Sequence, residues 1–365
     1  MLPYFTAAYG NAASGHAAGQ DAAEAVEAAR AAVADLIGVR RGDIVFTGGA
    51  TESNNLAIFG VARAHQNNHG ARRRIVTTAV EHKAVLEPCR WLQRCGWDVV
   101  ILPVDAAGTV DVRAATEAIN GDTLIVSIQA ASNEIGTIQP VAQIAALAHE
   151  HGAFVHCDAA QAAGKIPLDV AGWDVDLLSI SAHKLYGPKG VGALYVKGGP
   201  RRFPIAPLCA GGGQEGALRP GTLNVPGLVG FGEACRICRE IGPHEAARIA
   251  ALRDAFETAL RAAVTGLRVN GAPGHRLPGN SSLTFPRIAA DALLTHLPHI
   301  AISTGAACIS GSIEPSHVLL ALGLSREQAL ATIRVGLGRG TTAEEVERAA
   351  HDIAHAAHHI ARLQT

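Results

Sequence analysis

The sequence lacks the features that would direct a chain to a membrane or a nucleic acid. No apolar run is long enough to span a bilayer, and the N-terminus lacks the basic-then-apolar pattern of a signal peptide. The formal net charge is only −1, so no basic surface for nucleic acid or anionic lipid is expected. We therefore expect no nucleic-acid partner, no membrane partner and a cytoplasmic location.

The sequence also lacks a disulfide framework and a metal motif. Its seven cysteines are odd in number and scattered, which favours free thiols in a reducing compartment. Cys235 and Cys238 stand one helical turn apart, but no second pair is spaced for structural zinc, so we interpret them as packing residues. His351, His355 and His358 share a helix face without a carboxylate or thiol, and we interpret them as solvated. No metal is expected.

The sequence contains enough apolar residues to form more than one hydrophobic core. A length of 365 residues exceeds the usual single-core size, and 48% hydrophobic with 17% charged content is typical of a well-buried globular protein. The pattern changes after Gly242, where a long helix and a strand at 281–285 follow. We predict a large domain over residues 1–241 and a smaller domain over 242–365.

Short apolar runs alternate with amphipathic stretches at the spacing of a parallel α/β sheet. The predicted strands are 43–46, 75–78, 99–102, 124–128, 154–157 and 177–180. The predicted helices are 17–37, 83–94, 111–119, 140–151 and about 226–240. Polar residues follow several strands, at the edge where α/β sheets bind ligands. These residues are His82, Asn133, Glu134, Asp158, Gln161 and Lys184.

The stretch SISAHKLYGPKGVGALYV, residues 179–196, contains the strongest single candidate, Lys184. It lies in a short polar bend between two apolar runs. Ser181 and His183 flank it and offer a hydroxyl and an imidazole suited to a phosphate, beside an amine able to bind a carbonyl cofactor. This segment alone leaves two interpretations open, a cofactor lysine and an ordinary solvated surface lysine.

Other segments also allow two interpretations, a functional one and an ordinary structural one. The strand–glycine turn–helix pattern around Thr47–Glu52 suits a phosphate, and it also suits an ordinary strand-to-helix connection. Arg334 lies in a predicted strand, where it could bind a carboxylate in bidentate fashion or pair with a surface acid. The glycine-rich segment 204–222 is predicted to be a long exposed loop.

Cys308 lies within a run of small residues, 305–312, that has too little apolar bulk to be held in a core. We expect a mobile loop there. Structural cysteines are usually buried, whereas a thiol on a mobile loop is suited to act as a travelling nucleophile.

With these segments assembled, the chain resembles the cysteine desulfurases, which are pyridoxal-phosphate enzymes of the aspartate-aminotransferase fold. Eight motifs occur in the order and spacing of that family over nearly the full length. They are FTGGATESNN, VEHKAVLE, SNEIG, HCDAAQAAGK, SAHKLYGPKGVGALYV, RPGTLN, GAACISGSIEPSHVLLALG and IRVGLGR. The resemblance implies an α/β fold of pyridoxal-phosphate fold type I, with a mainly parallel seven-stranded sheet in the large domain and a smaller α+β C-terminal domain.

The resemblance also implies roles for residues around the cofactor ring. Lys184 would hold pyridoxal phosphate covalently and move the Cα proton of the substrate. His82 would stack on the ring and shuttle protons. Asp158 would pair with the ring nitrogen, and Gln161 would hydrogen-bond the ring hydroxyl.

Further residues would bind the phosphate and the substrate. The implied phosphate ligands are Thr51, the Ala50 backbone, Ser181, His183 and, from the second subunit of a homodimer, Thr222. The implied substrate residues are Asn133 and Arg334 for the carboxylate and Cys308 for attack on the sulfur. The thiol chemistry agrees, because breaking a carbon–sulfur bond needs a soft nucleophile.

The implied activity is conversion of L-cysteine to L-alanine, with the sulfur retained as a persulfide on Cys308. It would serve iron-sulfur cluster assembly or the synthesis of another sulfur-containing cofactor or tRNA, through a sulfur-acceptor or scaffold protein. Two alternatives stay open at this point. One is a selenocysteine lyase or a related lyase or aminotransferase of the same fold, and the other is a non-catalytic sulfur-relay or assembly subunit.

The chain departs from the family pattern at a few places. In the family, an Ala-Thr-Thr-like segment near the active site is followed by a helix, and residues 1–5 resemble the end of that helix. We therefore expect that roughly twenty residues of the family pattern are missing, through a misassigned start, a truncation or a real loss. Gly216 stands where a basic residue is usual, and Ala210 where histidine is common. The chain ends at Thr365 without the tail that some relatives use to dock a scaffold.

Overall fold

The computed structural model describes residues 1–304, 306–309 and 312–363, and it describes side chains for 1–304 and 314–363. The chain forms two compact units. Unit 1 comprises Met1–Leu102, Val112–Ala130 and Pro140–Gly242. Unit 2 comprises Pro103–Asp111, Ala131–Gln139 and Pro243–Thr365.

The α-helices are α1 (Pro3–Thr6), α2 (Ala17–Ile37), α3 (Ala50–Asn67), α4 (Lys83–Arg94), α5 (Val112–Ala118), α6 (Val141–Glu150), α7 (Val170–Trp173), α8 (Val225–Ala263), α9 (Ala290–His296), α10 (His317–Ala321), α11 (Arg326–Leu330) and α12 (Ala343–Leu363). The strands are β1 (Ile44–Thr47), β2 (Arg74–Thr78), β3 (Asp98–Leu102), β4 (Thr123–Gln129), β5 (Phe154–Asp158), β6 (Leu177–Ser181), β7 (Gly192–Val196), β8 (Arg268–Asn270), β9 (Asn280–Thr284), β10 (Ser303–Thr304), β11 (Ala306–Ile309), β12 (Ser312–Pro315) and β13 (Thr332–Gly336). Short 3₁₀ helices cover Arg41–Asp43, Ala182–Leu185 and Gln214–Ala217.

Unit 1 is built on a seven-stranded sheet in the order β1-β7-β6-β5-β4-β2-β3. Strands β3, β2, β4, β5 and β6 are parallel, and β7 is antiparallel to both of its neighbours, β6 and β1. The predicted α/β fold with a mainly parallel seven-stranded sheet is therefore confirmed. Because β1 runs in the same direction as β6, the carboxyl ends of β1, β2, β4, β5 and β6 all lie at one edge.

The strands of this sheet are apolar because both faces are covered. All seven residues of β4 are buried, as are all five residues of β6 and of β7. On one face, helices α3 and α4 contribute Leu56, Ile58 and Leu92 to a cluster that includes Ile125 and Leu177 of the sheet. Burying a side chain of this size stabilises the fold by about 1.5–3 kcal/mol.

The predicted limits of helix α2 are confirmed, and local capping explains them. His16 accepts a hydrogen bond from the Gly19 N–H at 3.2 Å at the start of the helix. Gly38, with a φ of +70°, ends it in the left-handed conformation that glycine adopts most readily. The alanine-rich face between these caps is buried against unit 1.

The predicted end of helix α8 near residue 240 is wrong. The helix continues to Ala263 with Pro243 in its interior. Proline removes one N–H donor and disfavours a helix interior. The alanine-, leucine- and arginine-rich sequence after Pro243 favours helix, and Phe256 and Leu260 are anchored in the core of unit 2.

Unit 2 contains a sheet in the order β10-β13-β9-β8. Its core is formed by buried side chains of α8, β9, β13 and α12, among them Phe256, Leu283, Ile333 and Ile353. The predicted strand at 281–285 corresponds to β9, and the predicted strand placement of Arg334 is confirmed in β13. The backbone of β11 pairs antiparallel with β12.

Candidate functional site

The edge of the unit 1 sheet brings together the ends of three strands that are far apart in sequence. Thr47 at the end of β1 and Ser181 at the end of β6 both pair with Gly192 of β7. Asp158 ends β5 and pairs with Ser179 of β6. Residues that follow β1, β5 and β6 therefore meet at this edge, whereas Asn133 and Glu134, which follow β4, belong to unit 2.

A glycine turn joins β1 to α3 at this edge. Gly49 has a φ of +143°, which glycine adopts without the steric cost of a side chain. Gly192 makes room for the turn, because a Cβ there would lie 2.6 Å from the Gly49 Cα and 2.6 Å from the Ile180 carbonyl oxygen. The fold therefore requires glycine at both positions.

The N-terminus of α3 has the character of an anion site. Its N-cap residue, Gly49, supplies no side-chain cap, so the first N–H groups of the helix, at Ala50 and Thr51, are not capped by that residue. The Ser181 hydroxyl lies next to this turn, since a Cβ built on Gly49 would be 3.7 Å from it. Ala50 is half-buried and Thr51 is exposed.

Ser181 is linked to His183 within the short helix that follows β6. Its hydroxyl lies 2.9 Å from the His183 Nδ1. The pKa of His183 is lowered, first by partial burial and then by the neighbouring ammonium groups of Lys184 and Lys189. A hydroxyl, an imidazole and helix N–H groups thus converge at one place, which is a donor set that suits a phosphate.

Lys184 is exposed on the 3₁₀ helix Ala182–Leu185, directly after β6. Tyr186, with a φ of +64°, ends this helix and turns the chain toward β7. The positive charge of Lys184 acts on Asp158, whose pKa it lowers. The lysine therefore belongs to the sheet edge and is not a remote surface residue.

Asp158 is the buried carboxyl of the site, with 6% of its surface exposed. Burial raises its pKa because it disfavours the charged form. Hydrogen bonds from the Ala160 N–H at 3.0 Å and the Asn54 Nδ2 at 2.7 Å oppose this rise. The nearby groups of His82 and Lys184 oppose it too, so a cation placed beside Asp158 would keep it ionised.

His82 caps helix α4, and this contact determines its tautomer. Its Nδ1 accepts a hydrogen bond from the Ala84 N–H at 3.0 Å. In the neutral imidazole the proton therefore lies on Nε2. The side chain is exposed, so it presents an N–H donor at the carboxyl end of β2.

Gln161 is held by a lysine of its own segment. The Lys165 ammonium donates to the Gln161 Oε1 at 2.9 Å. An ammonium group can only donate, so the Nε2 of this amide is turned away from Lys165 and can donate to another group. Gln161 is half-buried after β5, in the same segment as Asp158.

Asn133 and Arg334 lie in unit 2, and the structure brings them together. The Arg334 Nη1 donates to the Asn133 carbonyl oxygen at 3.1 Å, and the Asn280 Nδ2 donates to the same oxygen at 3.3 Å. Both predicted substrate residues are half-buried. Arg334 is held in the middle of β13, opposite Ser282 and Ser303.

The described thiols differ strongly in exposure. Cys157 is fully buried, and burial raises its pKa well above the usual value, as does the nearby charge of Asp158. Cys89 is buried as well, with a pKa raised to about 12, and Cys235 and Cys238 are buried packing residues as predicted. Cys95 and Cys209 are exposed. The side chain of Cys308 lies outside the described residues.

The segment 204–222 forms the mostly exposed loop that was predicted, with one short 3₁₀ helix, but a buried side chain anchors it. The Glu215 carboxylate binds the Arg30 guanidinium through two hydrogen bonds of 2.7 and 2.8 Å, and it accepts the Phe46 N–H at 2.7 Å. Its side chain is only 2% exposed. A buried ion pair with satisfied partners therefore anchors this segment to α2 and β1, while Thr222 beyond it is exposed.

Three residues of unit 1 near the site were not singled out from the sequence. Glu81 is fully buried and accepts hydrogen bonds from the Thr78 hydroxyl at 2.7 Å and the Gln129 N–H at 2.9 Å. Asn54 holds Asp158, and Glu52 accepts the Gly48 N–H at 2.7 Å. All three residues lie inside motifs quoted above. Their membership of these motifs, as polar residues suited to a buried or capping position, was the only sequence signal that could have identified them.

Neither a metal centre nor a membrane segment is present in the part of the chain whose side chains are described. No group of three or more His, Cys, Asp or Glu residues there could hold a metal ion. None of the helices in that part combines the length and the apolar character needed to cross a bilayer.

Comparison with known proteins gives consistent results. The family model for class-V aminotransferases matches residues 1–349. A cysteine desulfurase IscS of Anaeromyxobacter sp. (strain Fw109-5) is 48% identical over 348 residues, covering 95% of this chain and 85% of the relative. A cysteine desulfurase of Homo sapiens is 42% identical over 365 residues, covering 100% of this chain and 78% of the relative.

Solved structures agree with the sequence relatives. A NifS-like protein superposes with a TM-score of 0.89 at 37% identity, covering 97% of this chain and 93% of the other. A structure of SspA in complex with cysteine superposes with a TM-score of 0.80 at 36% identity, covering 92% of each chain.

Proposed function

Because this chain belongs to the class-V aminotransferase family, and within it to the cysteine desulfurases, we propose that it converts L-cysteine to L-alanine and takes the sulfur onto its own Cys308. The resemblance inferred from the motifs is confirmed by this membership. One observation carries the proposal: a buried carboxyl, Asp158, lies within electrostatic reach of a lysine and a histidine at the edge where the sheet can bind a ligand. Selenocysteine lyase and non-catalytic subunit are not favoured by the relatives.

The donor set at this edge fits pyridoxal phosphate. The N–H groups at the start of α3, with Ser181 and His183, suit a phosphate dianion. The buried Asp158 suits a cationic ring nitrogen, because its raised pKa falls when a positive charge stands beside it. Lys184 supplies a primary amine for a covalent link. When bound, this cofactor supplies an electron-accepting ring that stabilises negative charge at the substrate Cα.

Other steps of the reaction, namely proton transfer and binding of the ring and of the substrate carboxylate, would each be performed by particular residues of the chain. Lys184 takes the proton from the substrate Cα as a general base and returns it later. His82 presents its Nε2–H toward the site, because its Nδ1 is occupied as the cap of α4. The Nε2 of Gln161 would be available as a donor to the ring hydroxyl of the cofactor, since its Oε1 accepts from Lys165. Arg334 and Asn133, already in contact in unit 2, bind the substrate carboxylate.

The sulfur-transfer step needs a thiolate. The Cys308 thiolate attacks the sulfur of the substrate, so that an S–S bond forms and the Cβ–S bond breaks. The electron pair of the broken bond remains with the substrate carbon, which takes up a proton and leaves as L-alanine. Cys308 then carries a persulfide, which a thiol of an acceptor protein can remove by exchange.

The proposal extends to assembly and location. Two copies of the chain would associate, with the exposed Thr222 of each copy completing the phosphate site of the other. The acceptor would be a sulfur-carrier or iron-sulfur scaffold protein, and the compartment would be the cytoplasm. Binding of the cofactor across two subunits would stabilise the dimer by mass action.

The proposal is tested by replacing two thiols in parallel. Cys308→Ala should fold, bind pyridoxal phosphate and bind L-cysteine, but it should release little alanine because no other thiol takes over the attack. Cys157→Ala should keep most of its output, because the Cys157 thiol is fully buried and has a raised pKa. The measurement is single-turnover alanine formation together with persulfide labelling.

A functioning Cys308→Ala variant would contradict the proposal, as would a persulfide found on Cys157. Absence of alanine from the unmodified protein, with dithiol and cofactor supplied, would reject the desulfurase activity itself.

A further inference from the structure

Glu52, in the first turn of α3, holds two partners with one carboxylate. Its Oε2 accepts the Gly48 N–H at 2.7 Å, and its Oε1 accepts the Arg219 Nε–H at 2.9 Å. Both charged side chains are 32% exposed, so the pair is partly shielded from water. Neither residue belongs to the set of cofactor ligands named above.

The position of Glu52 creates an electrostatic conflict with a phosphate. A carboxylate in the first turn of a helix is stabilised by the helix dipole. The same turn is where the phosphate dianion would bind, and two anions within a few ångströms repel each other. Arg219 offsets this conflict, because its guanidinium lies 2.9 Å from the Glu52 carboxylate. The hydrogen bond to Glu52 is the first cause of the raised pKa of Arg219.

We propose that the Glu52–Arg219 ion pair is a positioning device for the cofactor phosphate: Arg219 neutralises Glu52, which in turn fixes the glycine turn that binds the phosphate. The inference rests on the proposed function, because it assumes that pyridoxal phosphate binds at this turn. Arg219 and Glu52 act through the turn and are positioning residues, not ligands of the cofactor.

Hydrogen bonds within the turn support this role. The Gly48 N–H is taken by Glu52, and the Gly49 N–H is directed to the Thr47 hydroxyl at 3.3 Å. These two donors are thereby occupied within the chain. Ala50 and Thr51 are the first two residues of α3, so their N–H groups point along the helix axis, as the first donors of a helix do. In this direction they can bind an anion.

Arg219 also fixes the segment that carries Thr222. At one end of this segment Glu215 is tied to Arg30, and at the other Arg219 is tied to Glu52. Just outside these two residues, the Gly221 N–H donates to the Gln214 Oε1 at 3.0 Å and so closes the segment on itself. The segment is therefore held to α2 and α3 at two points, and Thr222 lies just beyond the second, after Pro220 and Gly221.

The test compares two ligands that differ only in the phosphate. Pyridoxal phosphate and pyridoxal share the ring and the aldehyde, so their ratio of dissociation constants isolates the phosphate contribution. Arg219→Met leaves the Glu52 carboxylate unneutralised, and we expect affinity for pyridoxal phosphate to fall by about tenfold or more. The affinity for pyridoxal should stay within about twofold, because the charge acts on the phosphate.

A second variant tests the sign of the charge effect. Glu52→Gln keeps an amide oxygen that can accept the Gly48 N–H but removes the negative charge. The double variant Glu52→Gln/Arg219→Met should therefore recover part of the affinity for pyridoxal phosphate lost in Arg219→Met. Arg74→Met is the matched control, since it breaks an ion pair with Asp98 at 2.6 Å on β2 and β3. It should leave both affinities unchanged.

Equal losses for the two ligands in Arg219→Met would overturn the inference, because they would indicate a merely structural role. A double variant no better than Arg219→Met would overturn it too. Failure of the unmodified protein to bind pyridoxal phosphate at all would instead reject the proposed function, so the two failures are distinguishable.

Discussion

Glu81 illustrates how much a single buried residue can influence this site. Its carboxyl is fully buried, and burial raises its pKa to about 8, with the charge of Asp158 adding to the rise. Its hydrogen bonds to Thr78 and Gln129 join the segment before His82 to the end of β4. The Gln129 Nε2 strengthens the same connection by donating to the Val80 carbonyl oxygen at 2.6 Å.

The raised pKa makes stability depend on pH in a definite direction. A carboxyl whose pKa is higher in the folded than in the unfolded protein stabilises the fold fully below its unfolded pKa, and this contribution is lost as the pH rises through about 8. Glu81→Gln stays neutral throughout. We expect the stability of Glu81→Gln relative to the unmodified protein to grow by up to about 1.4 kcal/mol per pH unit between pH 5 and 8.

Urea unfolding of both proteins at a series of pH values measures this difference, and other titrating groups cancel in it. Glu87→Gln on the nearby helix α4 is the control, because the Glu87 side chain is 53% exposed. A difference between Glu81→Gln and the unmodified protein that is constant over this range would show that Glu81 is not a buried, proton-binding carboxyl.

At the scale of residues, the sequence predicted those whose chemistry is visible locally. Asp158 and Lys184 each follow an apolar run that was predicted to be a strand. Their place at the sheet edge could therefore be predicted from the alternation of apolar runs and amphipathic stretches. Asn54 and Glu81 could not be recognised in this way. Their partners, Asp158 and Gln129, lie in distant strands, and only the folded chain brings them into contact.

The element on which the site depends most is the antiparallel strand β7. Its first residue, Gly192, lies between the ends of β1 and β6 and directly under the glycine turn. The atoms that a Cβ would meet are backbone atoms of Gly49 and Ile180, which cannot rotate away as a side chain can. A change of one methyl group here therefore moves the turn itself.

Gly192→Ala should destabilise the protein by about 1–3 kcal/mol, the usual cost of overpacking a tight contact. It should also weaken binding of pyridoxal phosphate, because the displaced turn carries the first N–H groups of α3. Urea unfolding and cofactor titration measure the two effects. Gly121→Ala is the control, since a Cβ at Gly121 would meet no atom within 4 Å. A Gly192→Ala protein as stable as the control would refute the close contact.

At the scale of elements, local signals predicted helices well where caps are present. Helix α2 runs from Ala17 to Ile37 between its caps His16 and Gly38. Both limits could be predicted, because the alanine-rich pattern starts at Ala17 and Gly38 ends it. Helix α8 was predicted to stop near residue 240, and the sequence pattern changes after Gly242. Packing of its later residues in the core of unit 2 outweighs that local signal.

At the scale of the whole molecule, the units are not consecutive in sequence. Residues 103–111 and 131–139 belong to unit 2 although strands of unit 1 lie on both sides of them. Hydrophobic patterns divide a chain only into consecutive stretches, so they could not predict this interleaving. The division into residues 1–241 and 242–365 stays a prediction.

We expect the pairing of β1 with β7 to be a late event during refolding. Ile44 pairs with Tyr195 across most of the length of unit 1, and closing so long a loop is slow because few contacts compensate for it early. The glycine turn lies against Gly192, so we expect it to reach its final conformation after this pairing. In refolding from urea with excess pyridoxal phosphate, helical circular dichroism should therefore recover before the absorbance of bound cofactor, at a lag independent of cofactor concentration. Recovery of both signals at one rate would show that the turn forms early. If the cofactor signal lags as expected, the absorbance of bound cofactor reports the time at which β1 and β7 pair.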